Sequence, residues 1–128
     1  MDELNKIDNF ICRSLTDLLF QMIPEYQKIY ELENSTIIFS NGVYLFMNEF
    51  TLFLSNEIEK DSTSVIVKKA FTFINKVGES NNLEVLNILK IGILEILYTN
   101  KNIDRKLVYG FLNIKLQKYF NEFSENYY

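Results

Sequence analysis

Three carboxylates stand at alternate positions near the middle of the chain, in the segment Glu57-Ile58-Glu59-Lys60-Asp61. Alternating acidic side chains supply oxygen ligands in calcium-binding loops, so this spacing raises the possibility of a metal site. The segment lacks the glycine and the closing glutamate that such a loop needs at fixed positions. The sequence therefore predicts no metal site here and leaves the three acids as surface charges.

Other residue types that perform catalysis are scarce. The chain has no histidine, which removes the commonest general base and the commonest zinc ligand. Its one cysteine, Cys12, follows Ile11 in an apolar helical stripe and is expected to be an inert thiol at the core edge. The four scattered glycines form neither of the glycine-rich turns that bind phosphates. We therefore expect no enzymatic activity and no cofactor.

Charge is unevenly distributed along the chain. Residues 1–61 contain eleven acidic and four basic residues, whereas residues 62–128 contain six acidic and nine basic residues. One interpretation is chance combined with solvated helix faces. The other is an acidic surface that attracts a basic protein partner. Nucleic-acid binding is disfavoured, because no basic cluster exceeds the pair Lys68-Lys69.

Tyrosines that stand beside acids suit a protein-binding surface, since a tyrosine ring contributes a large contact area. We place this hypothetical surface on the second predicted helix and the loop after it, with a second acidic patch further along. The candidate partner-binding residues are Glu25, Tyr26, Tyr30, Glu31 and Glu33 in the first region, and Glu57, Glu59 and Asp61 in the second.

The elements that would position these residues are helices, because apolar residues recur at i, i+3, i+4 and i+7 almost throughout. The spacing predicts helices over about residues 3–22, 24–32, 42–60, 63–77, 82–98 and 104–122. Pro24 opens the second helix, and Gly78 ends the fourth in a left-handed conformation. Residues 36–39 are left as an extended loop or a frayed helix end, and residues 121–128 as a frayed tail. The prediction is an all-α, single-domain bundle of five to six helices.

The most apolar stretch, NNLEVLNILKIGILEILYTN, covers residues 81–100 and predicts a central helix at about 82–98. Its polar side chains fall on one arc of about 140°; they are Glu84, Asn87, Lys90 and Glu95. That pattern is typical of a buried central helix and too polar for a membrane span. Asn87 and Glu95 are predicted to be structural polar residues, with Glu95 paired to Lys90, Lys68, Lys69 or a backbone N–H at a helix start. The alternative for Glu95 is a catalytic or partner-contacting role. Gly92 is predicted to allow close approach of a neighbouring helix.

The predicted location is the cytoplasm. The first ten residues, MDELNKIDNF, lack the basic region and apolar run of an export signal. A single cysteine cannot form an internal disulfide, which suits a reducing compartment.

Two segments carry a resemblance to a known family: FQMIPEY at residues 20–26, and AFTFINKVGESNNLEVLNILKIGILEIL at residues 70–97. They resemble a family of small, all-helical bacterial proteins of unknown function that is thought to include immunity proteins of polymorphic or contact-dependent toxin systems. The matching positions are Pro24, Glu25, Phe71, Phe73, Ile74, Val85, Asn87, Leu89, Leu94, Glu95 and Leu97. The resemblance implies a protein that binds and neutralises a cognate toxin, with Asn87 and Glu95 as framework positions of the central helix.

Three functional hypotheses follow. The first is an immunity protein that binds a basic toxin domain through the acidic and aromatic surface. The second is a helical adaptor or self-associating regulatory module without a toxin partner, in which case a homo-oligomer is possible. The third is an enzyme or a small-ligand carrier, whose cavity would be lined by aromatic residues that core packing also explains: Phe46, Phe50, Phe53, Phe71 and Phe73.

Overall fold

The chain is helical wherever the structure describes it. The structure is a computed structural model that describes residues 2–33 and 42–126, with side chains over residues 10–31 and 42–124. The first four helices are α1 (Asp2–Met22), α2 (Pro24–Glu33), α3 (Val43–Lys60) and α4 (Val65–Val77). Helix α5 covers residues 83–99 in three consecutive segments, Leu83–Leu89, Lys90–Leu94 and Glu95–Thr99, and is followed by α6 (Arg105–Phe111) and α7 (Ile114–Asn126). The predicted all-α class is confirmed, and no strand occurs in these ranges.

Local capping explains where several helices begin. Pro24 opens α2 as predicted, since its missing N–H is not needed in a first turn. Asn82 caps α5 through its side-chain oxygen, which accepts hydrogen bonds from the backbone N–H groups of Glu84 and Val85. Helix α4 begins at Val65, two residues later than predicted, because Ser64 caps it through a hydroxyl that accepts from Val67 N–H.

The described residues form seven helices, where five to six were predicted. The last predicted helix is divided in two between Phe111 and Ile114, and Asn75 of α4 stabilises the break. Its Nδ2 donates to the Phe111 carbonyl and its Oδ1 accepts from Asn113 N–H, both at 3.0 Å. Asn113 then caps α7 by accepting from Leu116 N–H. These local hydrogen bonds replace those that a continuous helix would have made.

Gly78 follows α4 as predicted, but its conformation is right-handed, with φ −64° and ψ −16°. The expectation of a left-handed helix end was therefore wrong. The glycine permits a close contact instead, because an added Cβ would lie 2.7 Å from Leu116 Cδ2. The last turn of α4 can approach α7 only where no side chain intervenes.

One hydrophobic cluster contains residues from all seven helices. Helix α5 lies near its centre: the first segment packs on α3 and α4, and the last on α3, α6 and α7. The aromatic residues proposed as a cavity lining belong mainly to this cluster; Phe46, Phe50 and Phe73 are at most 2% exposed, and Phe50 packs on Phe73. The core-packing interpretation explains them.

Residues 121–126 were predicted to fray, but α7 continues to Asn126. Phe123 is buried, and its ring centroid lies 5.7 Å from that of Tyr98, so packing holds this end of the helix. Residues 36–39 and 127–128 lie outside the described residues. Within the described chain, no helix combines the length and the hydropathy needed to cross a bilayer.

Candidate protein-binding site

A groove lies between α2 and α3, with a volume of about 400 Å³. We refer to it as the α2–α3 groove. Helix α2 contributes one side of it and α3 the other. The lining residues are Tyr26, Ile29, Tyr30, Glu49, Leu52, Phe53 and Asn56.

Aromatic contacts fix the relative position of the two helices. The ring centroids of Tyr30 and Phe46 are 5.2 Å apart, and those of Tyr26 and Phe53 are 4.8 Å apart. Because the earlier residue of α2 meets the later residue of α3, the helices run antiparallel. Such edge-on and tilted ring pairs stabilise the packing beyond simple area burial. The floor of the groove is therefore a rigid aromatic layer.

The rim of the groove on α3 combines a negative charge with an exposed apolar side chain. Glu49, Leu52 and Asn56 share one face of the helix, since they are three and four residues apart. Leu52 is 56% exposed, whereas Glu49 is half-buried. Burial and then the nearby charge of Glu49 raise the pKa of the Tyr30 hydroxyl, which disfavours its ionised form. The groove can accept an apolar anchor beside a positive charge.

The first predicted surface is only partly present. Tyr26 and Tyr30 are 3% and 7% exposed, so the expectation that they present exposed rings is wrong. They face the core because α2 packs its aromatic side on α3, and only their edges line the groove. Glu25 does not line the groove and instead pairs with Lys69 of α4 at 2.9 Å. Glu31 is exposed and accepts a hydrogen bond from Gln27. The side chain of Glu33 lies outside the described residues.

The second predicted patch lies at the end of α3. Glu59 is exposed, and half-buried Glu57 lies 3.7 Å from Lys60 Nζ. Asp61 is engaged locally, because its Oδ1 accepts from Thr63 Oγ1 at 2.6 Å and from Thr63 N–H at 2.9 Å. These two hydrogen bonds lower the pKa of Asp61 and keep it ionised. The structure assigns Asp61 a part in shaping the α3–α4 turn.

Sequence reasoning missed Ile29, Glu49, Leu52 and Asn56. A signal for the last three exists in α3, where Leu45, Glu49, Leu52 and Asn56 recur at helical spacing outside the buried stripe. Leu45 and Leu52 are both exposed, at 42% and 56%. Because they are seven residues apart, the two leucines lie on the same face of α3.

The two polar residues singled out in the central helix have different surroundings. Asn87 is exposed, and Glu95 is half-buried. The ion pairs among the described side chains are Lys60–Glu57 and Lys69–Glu25, so the ion pair predicted for Glu95 is absent from them. Lys90, its nearest candidate in the sequence, lies over the ring of Tyr119, 4.0 Å from the centroid. Of the other candidate partners, Lys69 pairs with Glu25. For Lys90, the face of the Tyr119 ring competes with the carboxylate for the cation.

Gly92 allows α3 to approach α5 closely, as predicted, because a Cβ added to it would lie 3.1 Å from Met47 Cβ. It lies in the Lys90–Leu94 segment of α5, which is a π-helical turn. Its carbonyl is the more distant acceptor of the Thr51 hydroxyl, at 3.2 Å, and the Met47 carbonyl is the nearer one, at 2.7 Å. With its amide nitrogen turned toward α5, Asn48 also donates to the Gly92 carbonyl, at 2.9 Å. Two side chains of α3 therefore anchor the π-helical turn.

The described residues bring together no group of three or more Cys, Asp or Glu side chains that could hold a metal ion. Cys12 is buried, and that burial raises the pKa of its thiol despite a hydrogen bond with Thr16 that acts in the opposite direction. A protonated thiol is a poor nucleophile and a poor metal ligand.

A family model described as "Domain of unknown function (DUF7674)" matches residues 16–128, which is most of the chain and includes the whole α2–α3 groove. The chain belongs to the DUF7674 family. Comparison with curated proteins and with solved structures finds no match. This membership agrees with the part of the predicted resemblance that named a family of unknown function. The groove lies entirely within the matched domain.

Proposed function

We propose that this DUF7674 protein is a non-catalytic protein-binding domain whose α2–α3 groove binds a basic partner. The observation that carries the proposal is the rim of the groove, where exposed Leu52 stands beside Glu49 above an aromatic floor. Protein-binding sites commonly combine a buried apolar anchor with a surrounding polar rim. Leu52 marks the apolar centre, and Glu49 supplies the charge.

The surrounding charge favours a basic partner. Residues 24–61, which include both walls of the groove, contain seven acidic and two basic residues. Lysine or arginine side chains on a partner would be attracted during approach, and one of them could pair with Glu49. A nucleic acid would be repelled by the same surface.

More specifically, we propose that the partner is a cognate bacterial toxin and that binding neutralises it. The resemblance of residues 20–26 and 70–97 to immunity proteins motivates this assignment, and an acidic groove is the electrostatic complement of a basic toxin domain. Neutralisation requires only stable folding and occlusion of the toxin. The absence of histidine from the chain is therefore no obstacle to this function.

The test is affinity capture from the native host with the full chain as bait, washed at about 50 and 500 mM salt, since salt screens steering charges. We expect one stoichiometric protein that stops cell growth when expressed alone and does not when the chain is co-expressed. Glu49→Lys and Leu52→Ala should each abolish rescue. The controls are Glu79→Lys and Val65→Ala, which change an exposed acid and an exposed apolar residue that do not line the groove.

The possible outcomes distinguish the groove as a binding site from the immunity role. A captured protein that is not toxic, but whose binding is lost in Glu49→Lys, would overturn the immunity role and leave the groove as a binding site. A toxin whose binding resists both groove variants would overturn the groove. Recovery of the bait alone at both salt concentrations would overturn both.

A second candidate function is self-association, favoured by two exposed apolar residues on α5. Leu83 is 78% exposed and Ile91 is 53% exposed, with Asn87 between them at helical spacing. A symmetric dimer could bury this strip against its own copy. Sedimentation velocity should then show a dimer that Ile91→Asp converts to a monomer. A monomer at every concentration would exclude this candidate.

A further inference from the structure

A second pocket lies between α6 and α7, beside the end of α5, and shares no residue with the α2–α3 groove. Its volume is about 330 Å³, which is within the range of small-molecule sites. We call it the α6–α7 pocket. It is lined by Tyr98, Arg105, Lys106, Tyr109, Phe120 and Asn121.

Arg105 is held in this pocket from two directions. Its Nε donates to the Tyr98 carbonyl at 2.7 Å, and its guanidinium carbon lies 3.9 Å from the centroid of the Tyr98 ring. A guanidinium has five N–H donors, and this arrangement uses the one on Nε. Among the described residues, no hydrogen bond uses the donors of the two terminal nitrogens, and the side chain has already lost much of its rotational freedom. Such a preorganised fork is suited to bidentate binding of an oxyanion.

The charge next to Arg105 is positive. Lys106 is exposed in the same pocket, and the ion pairs among the described side chains involve neither Arg105 nor Lys106. The acid beside them in the sequence, Asp104, instead caps α6 by accepting from the backbone N–H of Lys106 at 2.9 Å. An entering anion would therefore meet two cations without displacing a carboxylate from either.

The base of the pocket is aromatic. Tyr98 and Phe120 are 6% and 2% exposed, and their rings pack edge to face with centroids 5.1 Å apart. Tyr109 is 38% exposed and lies on the rim, where its ring can contact a flat ligand. Asn121 adds a side-chain amide on the opposite helix. The pocket thus has an apolar base and a cationic edge.

We propose that the α6–α7 pocket binds a small aromatic oxyanion, either an aryl carboxylate or an aryl phosphate. The oxyanion accepts hydrogen bonds from the terminal nitrogens of Arg105 and pairs with Lys106. The ring lies against the aromatic side chains of the pocket. This binding activity is independent of any protein partner in the α2–α3 groove.

Nuclear magnetic resonance titration of the 15N-labelled full chain tests this site with four probes: phenyl phosphate, benzoate, phenol and inorganic phosphate. We expect phenyl phosphate or benzoate to give saturable shifts at Tyr109, Phe120 and Asn121, with a dissociation constant on the order of 1 mM. Phenol lacks the charge and inorganic phosphate lacks the ring, so each should bind at least about tenfold more weakly. The stronger of the first two probes identifies the anionic group.

Lys106→Ala is the main variant, because the Lys106 side chain makes no described ion pair and its loss should leave the fold intact. We expect it to weaken binding about fivefold. Lys118→Ala, which removes an equally exposed cation from α7 outside the pocket, should leave binding unchanged. The proposal would be overturned if both variants weakened binding equally, or if no probe gave a saturable shift up to about 10 mM. It would also be overturned if phenol or inorganic phosphate bound as tightly as phenyl phosphate or benzoate.

Discussion

Gly92 of α5 packs directly against Met47 of α3: a Cβ built on Gly92 would lie 3.1 Å from Met47 Cβ. The two helices are joined at the same level by the hydrogen bond from the Thr51 hydroxyl to the Gly92 carbonyl. Thr51 is fully buried, so this polar contact is made in the core. The position combines steric contact and hydrogen bonding and is therefore sensitive to small changes.

Gly92→Ala should destabilise the protein. The added methyl group would press on Met47 Cβ, which cannot rotate away, and overpacking of a core typically costs about 1–3 kcal/mol. The better helix propensity of alanine offsets about 1 kcal/mol of that cost. We expect the free energy of unfolding, measured in urea, to fall by about 1 kcal/mol.

The matched control is Gly110→Ala in α6. An added Cβ at Gly110 has no other atom within 4 Å, so only the helix propensity changes. This variant should raise the free energy of unfolding by about 0.5–1 kcal/mol. Stabilisation of both variants would show that α3 and α5 do not pack as closely as described.

Asn75→Ala should weaken the junction between α6 and α7. Both hydrogen bonds across the break, to the Phe111 carbonyl and from Asn113 N–H, would be lost. We expect a loss of about 1–2 kcal/mol in urea unfolding. Asn87→Ala, at an exposed position of α5, should change the value by less than about 0.5 kcal/mol. Equal effects of the two variants would contradict the bridging role of Asn75.

The Glu25–Lys69 pair should contribute stability that depends on pH. The hydrogen bond from Lys69 lowers the pKa of the Glu25 carboxyl below its ordinary value of 4.5. Because the pKa is lower in the folded state, the pair stabilises the protein at pH values above the ordinary pKa. This contribution is lost as the pH falls through the lower pKa of the folded state. Because both side chains are more than a third exposed, we expect less than about 1 kcal/mol at pH 7.

Urea unfolding of Glu25→Gln at pH 7 and at pH 3 measures that dependence. The variant should be less stable than the parent at pH 7, and the difference should shrink at pH 3 and at high salt. Glu79→Gln, a change of an exposed acid elsewhere, serves as the control. A difference between Glu25→Gln and the parent that persists unchanged at pH 3 would show that the pair is not its cause.

Cys12 should react with thiol reagents only when the protein opens. Its side chain is 4% exposed, and burial raises the pKa of the thiol above the ordinary 9.0, so the reactive thiolate is scarce. We expect slow modification by iodoacetamide in the native protein and rapid modification in urea. Fast native labelling would place Cys12 at the surface.

The helices were largely predictable because their signals are local. Pro24 and Asn82 mark helix starts through their own backbone and side-chain chemistry, whatever packs around them. The break before Asn113 was not predictable from its neighbours, because it is stabilised by Asn75, 38 positions away in the sequence. Local pattern carries no information about such a pairing.

The candidate site shows the same limit. Tyr26 and Tyr30 stand among acids in the sequence, which suggested an exposed surface. Their burial depends on the aromatic face of α3, and that contact is set by how the two helices pair. Leu52 was left out because periodicity places it away from the core, although an exposed leucine beside a groove can supply the apolar contact of a binding site.

The π-helical segment Lys90–Leu94 changes the direction in which the following side chains of α5 point around the helix axis. A π turn accommodates about one more residue than an α turn, so the side chains after Leu94 are rotated by roughly 100° from their positions in an uninterrupted α-helix. Leu97 and Tyr98 are buried in this rotated position, whereas in an uninterrupted α-helix their side chains would point in a different direction. Deleting one residue from the segment would leave Leu83–Leu89 packed on α3 and α4 but rotate Glu95–Thr99 out of its contacts with α3, α6 and α7.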